Sequence, residues 1–426
     1  MKSRFPSSAL GRLALLSLFA TVPRVAYAVE VSGLEHAART PRTYIAIQHK
    51  RDFDPVAPLP AVLRRWGWRG MAGEVHFAMR SDAFAAGFLS RIVLHPRWFS
   101  LALRPLSVGP LLRRLGVHPL ADLHQRPAEA WLRDAQRVEG NVPAGDILTS
   151  AFLADLASAS HTSPDQLAKL SLSRLLTRRY HLALQRFTSA DIFLGEAHRR
   201  AVRRSVAEAK RLLEDLSAWL WAGGSLFSAP EGQLSPTGAL SPINNALHRI
   251  LRTAPPEMRI LPIALVYDFM TTRRPCIFVD LAPAIERAPA LPHHDLDAQL
   301  RHAWRSAAHF TCTQIASGFL VEAAQTRQPA TFTTGELAAA TFAHARQLAA
   351  EGRHVDPRLL DTASVYQRVS AYLTYARRHH LVRRLKRGVW QVTGATIMPP
   401  VPPGEVGYRF APLAYAYNEL RDLLDV

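Results

Sequence analysis

Residues 43–48, Thr-Tyr-Ile-Ala-Ile-Gln, form a short block that is mostly apolar, and the block gives out at His49. A run of that length and composition predicts a buried strand. Three further blocks, Ser225–Ser228, Ile260–Tyr267 and Cys276–Leu281, predict strands of the same kind. Between the first two lies a different rhythm. Val202, Val206, Ala209, Leu213, Leu216 and Leu220 step by 4, 3, 4, 3 and 4, one apolar stripe on a helix over 197–222. Gly223-Gly224 ends that helix. Strands alternating with helices predict an α/β core.

Prolines punctuate the rest. Pro55, Pro58 and Pro60 mark a loop leading into a helix over Ala61–Trp66. The apolar stretch 83–112 is broken by Pro96, Pro105 and Pro110, which excludes one long helix; the stretch fits a lipid-facing groove or a buried core wall. Residues 284–298, with Pro289, Pro292 and the adjacent His293 and His294, read as a linker or surface loop. Tyr372–His380 reads as helix and Leu381–Val392 as a hairpin around Lys386-Arg387-Gly388, together a winged-helix-like arrangement. Ile397–Gly404 reads as an extended connector.

No run of 18 apolar residues occurs, so no conventional membrane-spanning helix is expected. The N-terminus has two readings. Two basic residues within Met1–Arg4, the apolar run Leu13–Val22 and Ala26-Tyr27-Ala28 fit a secretory signal. The same stretch fits a helix lying in the lipid interface, with Arg12 and Arg24 reaching for head groups.

The chain has 426 residues, 48% hydrophobic and 20% charged, which excludes wholesale disorder. Its two cysteines, Cys276 and Cys312, exclude a disulfide framework and a multi-cysteine zinc site. The net charge is +18 and almost entirely arginine, since the only lysines are Lys2, Lys50, Lys169, Lys210 and Lys386. Arginine's planar fork suits phosphate, so an anionic partner is one explanation; arginines on solvated faces are the other.

Candidate chemistry begins where the first strand ends. Gln48-His49-Lys50-Arg51-Asp52-Phe53-Asp54-Pro55 places a histidine at a strand terminus and a carboxylate five residues on. A histidine takes a proton from a poor alcohol nucleophile near neutral pH, and a carboxylate on the other ring nitrogen fixes the tautomer. A second strand enters the turn Ala229-Pro230-Glu231-Gly232-Gln233-Leu234-Ser235, where Gly232 allows close backbone approach and Glu231 can accept from a hydroxyl or brace the loop. The third piece is Pro262 at the head of an apolar strand.

The order and spacing of these pieces resemble the glycerolipid acyltransferase family, which includes glycerol-3-phosphate and 1-acylglycerol-3-phosphate acyltransferases. Its first motif, Asn-His-x-x-x-x-Asp, is matched by His49 and Asp54, with Gln48 for the asparagine. Its third, Phe-Pro-Glu-Gly-Thr-Arg-Ser, is matched by Pro230, Glu231, Gly232 and Ser235, while Ala229, Gln233 and Leu234 depart from it. Its fourth centres on a proline like Pro262, and Val31–His36 is similar to its lead-in. The second motif is matched locally by Gly116 within Leu115–Leu120, but the arginine expected there is missing. By the resemblance, phosphate binding would then fall to Arg51, Arg113, Arg114 or Arg126.

The resemblance spans about residues 29–285 and implies the following expectations. The fold is α/β, an acyltransferase-type mixed sheet flanked by helices, with a mainly helical C-terminal region. The chain divides into an N-terminal hydrophobic or interfacial segment at 1–28, an acyltransferase-like domain at 29–290 and a C-terminal region at 291–426. The activity moves a fatty acyl group from acyl-CoA or acyl-ACP (acyl carrier protein) to a hydroxyl of a glycerol phosphate or lysophospholipid-type acceptor. His49 acts as general base and Asp54 orients it; Arg51, Gly116, Pro230, Glu231, Gly232 and Pro262 bind substrate. No metal and no cofactor beyond the acyl donor is expected. The expected partners are a phospholipid membrane surface, the donor and a lipid acceptor, with no nucleic acid. The place is the cytoplasmic face of a membrane, with export left open by the N-terminus. Two alternatives remain: a degenerate lipid-binding acyltransferase fold, and a nucleic-acid-binding protein acting through its basic C-terminal module. A hydrolase is disfavoured by the lack of a Gly-x-Ser-x-Gly elbow.

Overall fold

The computed structural model describes residues 27–37, 41–51, 54, 57–58, 61–62, 65–67, 75–80, 107–114, 116–120, 126–177, 179–184, 187–232, 234–272, 274–326, 329–392 and 407–425, with isolated positions before them. Most of the N-terminal segment, the stretch 81–106 and the proline-rich 397–404 lie outside these residues. The chain forms two compact units, one of residues 1–76 and 219–426, the other of residues 77–218.

In the first unit the four apolar blocks become strands β2 (Thr43–Ile47), β3 (Ser225–Ser228), β4 (Arg259–Asp268) and β5 (Cys276–Leu281), and a strand that the apolar pattern does not predict, β1 (Ala28–Ser32), joins them. They lie in the order β1-β5-β4-β2-β3. Every residue of β2 to β5 is buried, which is why these strands read as continuous apolar runs rather than alternating ones. β2 is parallel to both β3 and β4, β1 is parallel to β5, and β4 and β5 are antiparallel. The sheet is therefore mixed, and the α/β expectation holds.

β4 is the long member. Its first half pairs with β2 over Arg259–Ile263 and its second half with β5 over Ile263–Asp268. Pro262 sits inside this strand, not at its head. Its carbonyl accepts from Ala282 N at 3.0 Å, and the regular ladder with β5 starts only at Ile263, so the donor that proline lacks falls where none is required.

Helices cover the sheet. They are α1 (Asn245–Arg252), α2 (His293–Ala307), α3 (Cys312–Thr326), α4 (Thr334–Ala350), α5 (Thr362–Arg378) and α6 (Pro412–Leu424). The linker expected at 284–298 is corrected by α2, which starts at His293. Pro292 stands at its N-cap, and Leu296, Leu300, Trp304 and Ala307 form its buried line. Strands β6 (Thr331–Thr333), β7 (Val382–Lys386) and β8 (Val389–Val392) make an antiparallel sheet in the order β6-β8-β7, and the hairpin expected around Lys386-Arg387-Gly388 joins the last two. The C-terminal region is mainly helical, as expected.

The second unit is a helical cluster with its own core. Trp131, Leu132, Leu167, Leu172, Leu175 and Leu184 are each 1% exposed or less. Trp131 Nε1 donates to Thr188 O at 3.0 Å. The helix Gly195–Trp221 contributes Ala197 and Ser205 as buried positions, whereas Val202 and Val206 are exposed. Leu216 and Leu220 are fully buried, so the stripe predicted from sequence is buried at its C-terminal end and open at Val202 and Val206. Gly116, with φ +77°, accepts from Phe77 N at 2.9 Å and precedes the strand Val117–Leu120, which pairs in parallel with Phe77–Arg80.

Candidate active site

Because β2 stops at Ile47 while β4 continues to Asp268, the chain leaving β2 turns over the flank of β4. Gln48 bridges the difference. Its N–H donates to Ile263 O (3.2 Å) and its side-chain Oε1 accepts from Leu265 N (3.1 Å), so an amide side chain takes over the ladder where the backbone departs.

The described residues that follow gather around one carboxylate. Asp54 Oδ2 accepts from the amides of Lys50 and Arg51, the latter at 2.5 Å, and Asp54 N donates back to Arg51 O at 3.1 Å. Oδ1 accepts from the hydroxyl of Tyr267 on β4. The Tyr267 phenol is pushed well above its ordinary pKa by burial first and by the Asp54 charge second, so it stays a neutral donor. Asp54 has no exposed surface. Against this fixed anion lies His49 Nδ1, 3.3 Å from Oδ2, at the long edge of hydrogen-bond range. A proton on Nδ1 pointing at Asp54 leaves the lone pair on Nε2. That atom makes no hydrogen bond among the described residues, and the His49 side chain is 15% exposed.

The Pro-Glu-Gly turn arrives from the adjacent parallel strand. Glu231 Oε1 accepts from His49 N (2.7 Å) and Oε2 from Ser241 N (2.8 Å). Both oxygens of this buried carboxyl are thus engaged by backbone, which makes Glu231 the brace of the two loops. Burial pushes its pKa up, against the opposing pull of the Lys50 charge. Pro230 O accepts from Asn244 N (2.8 Å), and Gly232 adopts φ +74° with its N–H donating to Ala229 O (3.1 Å). Ser235 N donates to His49 O at 3.0 Å, closing the junction.

Arg51 is 7% exposed. Its guanidinium lies over the rings of Phe269 (3.9 Å), Tyr408 (4.2 Å) and Tyr267 (4.7 Å), a desolvated cation–π box. Nε and Nη2 are buried and have no hydrogen-bond partner among the described residues. Lys50 points the other way, to Gly238 O and to Glu419 on α6 (3.5 Å), and Tyr415 OH donates to Lys50 O at 3.1 Å.

Of the residues named from sequence, His49, Asp54, Arg51, Pro230, Glu231 and Gly232 meet at the carboxyl ends of parallel β2 and β3, the end of such strands where ligands bind. Pro262 lies lower in the neighbouring strand, level with Ala46. Gly116 belongs to the other unit. Sequence reading missed Tyr267, Phe269, Tyr408, Lys50 and Tyr415. Tyr267 stands in a recognised strand, but nothing local marks it as the partner of a residue 213 positions away.

Among the described residues, His248, His293 and Asp297 are the one group with metal-ligating atoms close together, within 4.8 Å. The two imidazoles lie on one another, with centroids 3.1 Å apart and planes at 32°. Asp297 accepts a hydrogen bond from His248 Nε2 at 2.9 Å.

No protein-family model matches the chain, and no curated protein matches it. Among solved structures it is similar to the 1-acyl-sn-glycerophosphate (LPA) acyltransferase PlsC from Thermotoga maritima. The identity is 12%, the match covers 69% of this chain and 78% of that one, and the TM-score is 0.34.

Proposed function

We propose that this protein is an O-acyltransferase that moves a fatty acyl group from acyl-CoA or acyl-ACP to the hydroxyl of a glycerol phosphate or lysophospholipid-type acceptor. The observation that carries the reading is the pairing of His49 Nδ1 with a buried Asp54 that three other donors hold in place, leaving Nε2 free at a strand terminus. In the proposed reaction Nε2 takes the acceptor's hydroxyl proton as the oxygen attacks the thioester carbonyl. Asp54 stabilises the imidazolium that forms. Collapse of the tetrahedral intermediate releases a thiolate, a good leaving group, and the imidazolium proton neutralises it. Arg51 supplies a buried positive charge whose unpartnered N–H groups suit a phosphate oxygen. Pro230, Glu231 and Gly232 shape the wall beside the imidazole. Pro262 backs it from below, and the roles of Gly116 and of the membrane surface rest on the motif resemblance alone.

The test supplies the purified chain with acyl-CoA or acyl-ACP and a panel of glycerol-phosphate and lysophospholipid acceptors, and follows free thiol together with acylated product. The expected result is thiol release that depends on one acceptor class. Thiol release from neither donor with any acceptor contradicts the proposal and leaves a fold that binds lipid without turnover.

A further inference from the structure

The C-terminal module carries a charge distribution that the chemistry above does not use. From residue 362 to 392 there is no Asp or Glu, while Arg368, Arg377, Arg378, Arg383, Arg384, Lys386 and Arg387 contribute seven positive charges. Arg368 is the internal one: its guanidinium is buried between Asp268 and Asp356. The other six are exposed, and among the described residues none is paired with a carboxylate. They occupy one continuous stretch, the last turn of α5 and the β7–β8 hairpin.

β7 is an edge strand, and Arg383 to Lys386 are exposed on both of its faces. Edge strands carry some charge to deter pairing with other chains. That need does not account for a 31-residue stretch without a counter-charge, nor for basic residues extending back onto the helix end. Leu385 lies in the middle of them, 48% exposed between Arg384 and Lys386. His379, at the same helix end, is held below its ordinary pKa by burial and then by the positive charges of His380 and Arg378, so the cations already repel one another.

We infer that the end of α5 and the β7–β8 hairpin form a docking surface for an anionic phospholipid bilayer, with the arginines and Lys386 at the head groups and Leu385 entering the interface. Three features favour a bilayer over other polyanions. The cations flank an exposed aliphatic side chain, they project from both faces of a hairpin rather than from one helix face, and the fold ties them to the candidate site. The tie is specific: Arg368 of α5 bonds Asp268, the residue after Tyr267, whose hydroxyl holds Asp54. The surface stands whether or not the thioester chemistry does, and its test needs no substrate.

The test is co-sedimentation of the full chain with vesicles of phosphatidylcholine alone and of phosphatidylcholine containing about one-third phosphatidylglycerol. The comparison variant is Arg383→Gln/Arg384→Gln/Arg387→Gln, three exposed positions, with an unchanged thermal melt as the folding control. Each basic residue at an anionic surface strengthens binding roughly fivefold, so the triple variant should bind the anionic vesicles roughly a hundredfold more weakly. His49→Ala should bind them as the unaltered chain does, and Leu385→Ser should weaken binding in both salt and low salt. Equal binding to both vesicle types, or a triple variant that binds anionic vesicles undiminished, overturns the inference. So does tighter binding to duplex DNA than to the vesicles, which would assign the surface to nucleic acid.

Discussion

Two histidine–aspartate pairs in the first unit invite comparison. His309 Nδ1 lies 2.8 Å from Asp280 Oδ1, closer than the 3.3 Å between His49 and Asp54. Both aspartates are buried, and the histidines have similar exposure. Distance alone would favour His309 and Asp280 over the pair proposed above. What separates them is position on the sheet. Asp280 lies inside the ladder, in register with Ser32 on one side and Ala264 on the other, and it accepts from Ser32 Oγ and His309 N. His309 is stacked on Phe278. That pair ties a helix junction to the sheet. Asp54 lies beyond the end of a parallel strand, where the loop after β2 meets the Pro-Glu-Gly turn. What favours His49 as the proposed base is therefore the place of its carboxylate at the strand terminus and the three donors that hold it.

The comparison breaks most directly at the carboxylates. Asp54→Asn should lower the rate of acyl transfer about 10²–10⁴-fold, because the amide leaves the wrong tautomer on His49. Asp280→Asn should lower thermal stability and leave the rate per folded molecule unchanged. Rates reduced equally by both would erase the distinction. A smaller effect follows from Tyr267→Phe, which removes one donor from a buried anion; it should cost about 2 kcal/mol in denaturant unfolding and lower the rate less than Asp54→Asn does.

Glu231 sharpens the picture through pH. Burial holds its carboxyl above the ordinary 4.5. A raised acid pKa favours the fold while the group is protonated. That contribution is complete below the unfolded value and is lost as pH rises through the folded one. Glu231→Gln does not titrate, so the melting temperature of the unaltered chain should fall relative to the variant as pH rises from about 4 to 7. Parallel profiles would place the ionised carboxylate in a better-compensated setting than its surroundings suggest. The smallest effect is Gly232→Ala, at about 1 kcal/mol, from a left-handed φ and a Cβ that would come within 3.1 Å of Asn244.

Strands β2 to β5 were legible because each is buried on both faces and reads as an apolar block, whereas β1 is half-buried throughout and has no such signal. The pairing of His49 with Asp54 was legible because the two residues are five apart and one turn can close between them. The third-motif turn was legible for the same local reason. What escaped was everything set by distant segments: Tyr267 beneath Asp54, the rings around Arg51, and Tyr415 against Lys50. α2 escaped for another reason. Its prolines and paired histidines mimic a loop, yet Leu296, Leu300, Trp304 and Ala307 already carried helical spacing. The stripe on the helix Gly195–Trp221 was legible at Leu216 and Leu220, which are fully buried, and misleading at Val202 and Val206, which are exposed.

The central claim is that His49 is the base. It is tested by acceptor-dependent thiol release from acyl-CoA measured side by side for His49→Ala and His309→Ala. Background rates are expected for the first and a rate within about twofold of the unaltered chain for the second. Activity that survives at His49→Ala and disappears at His309→Ala would contradict it.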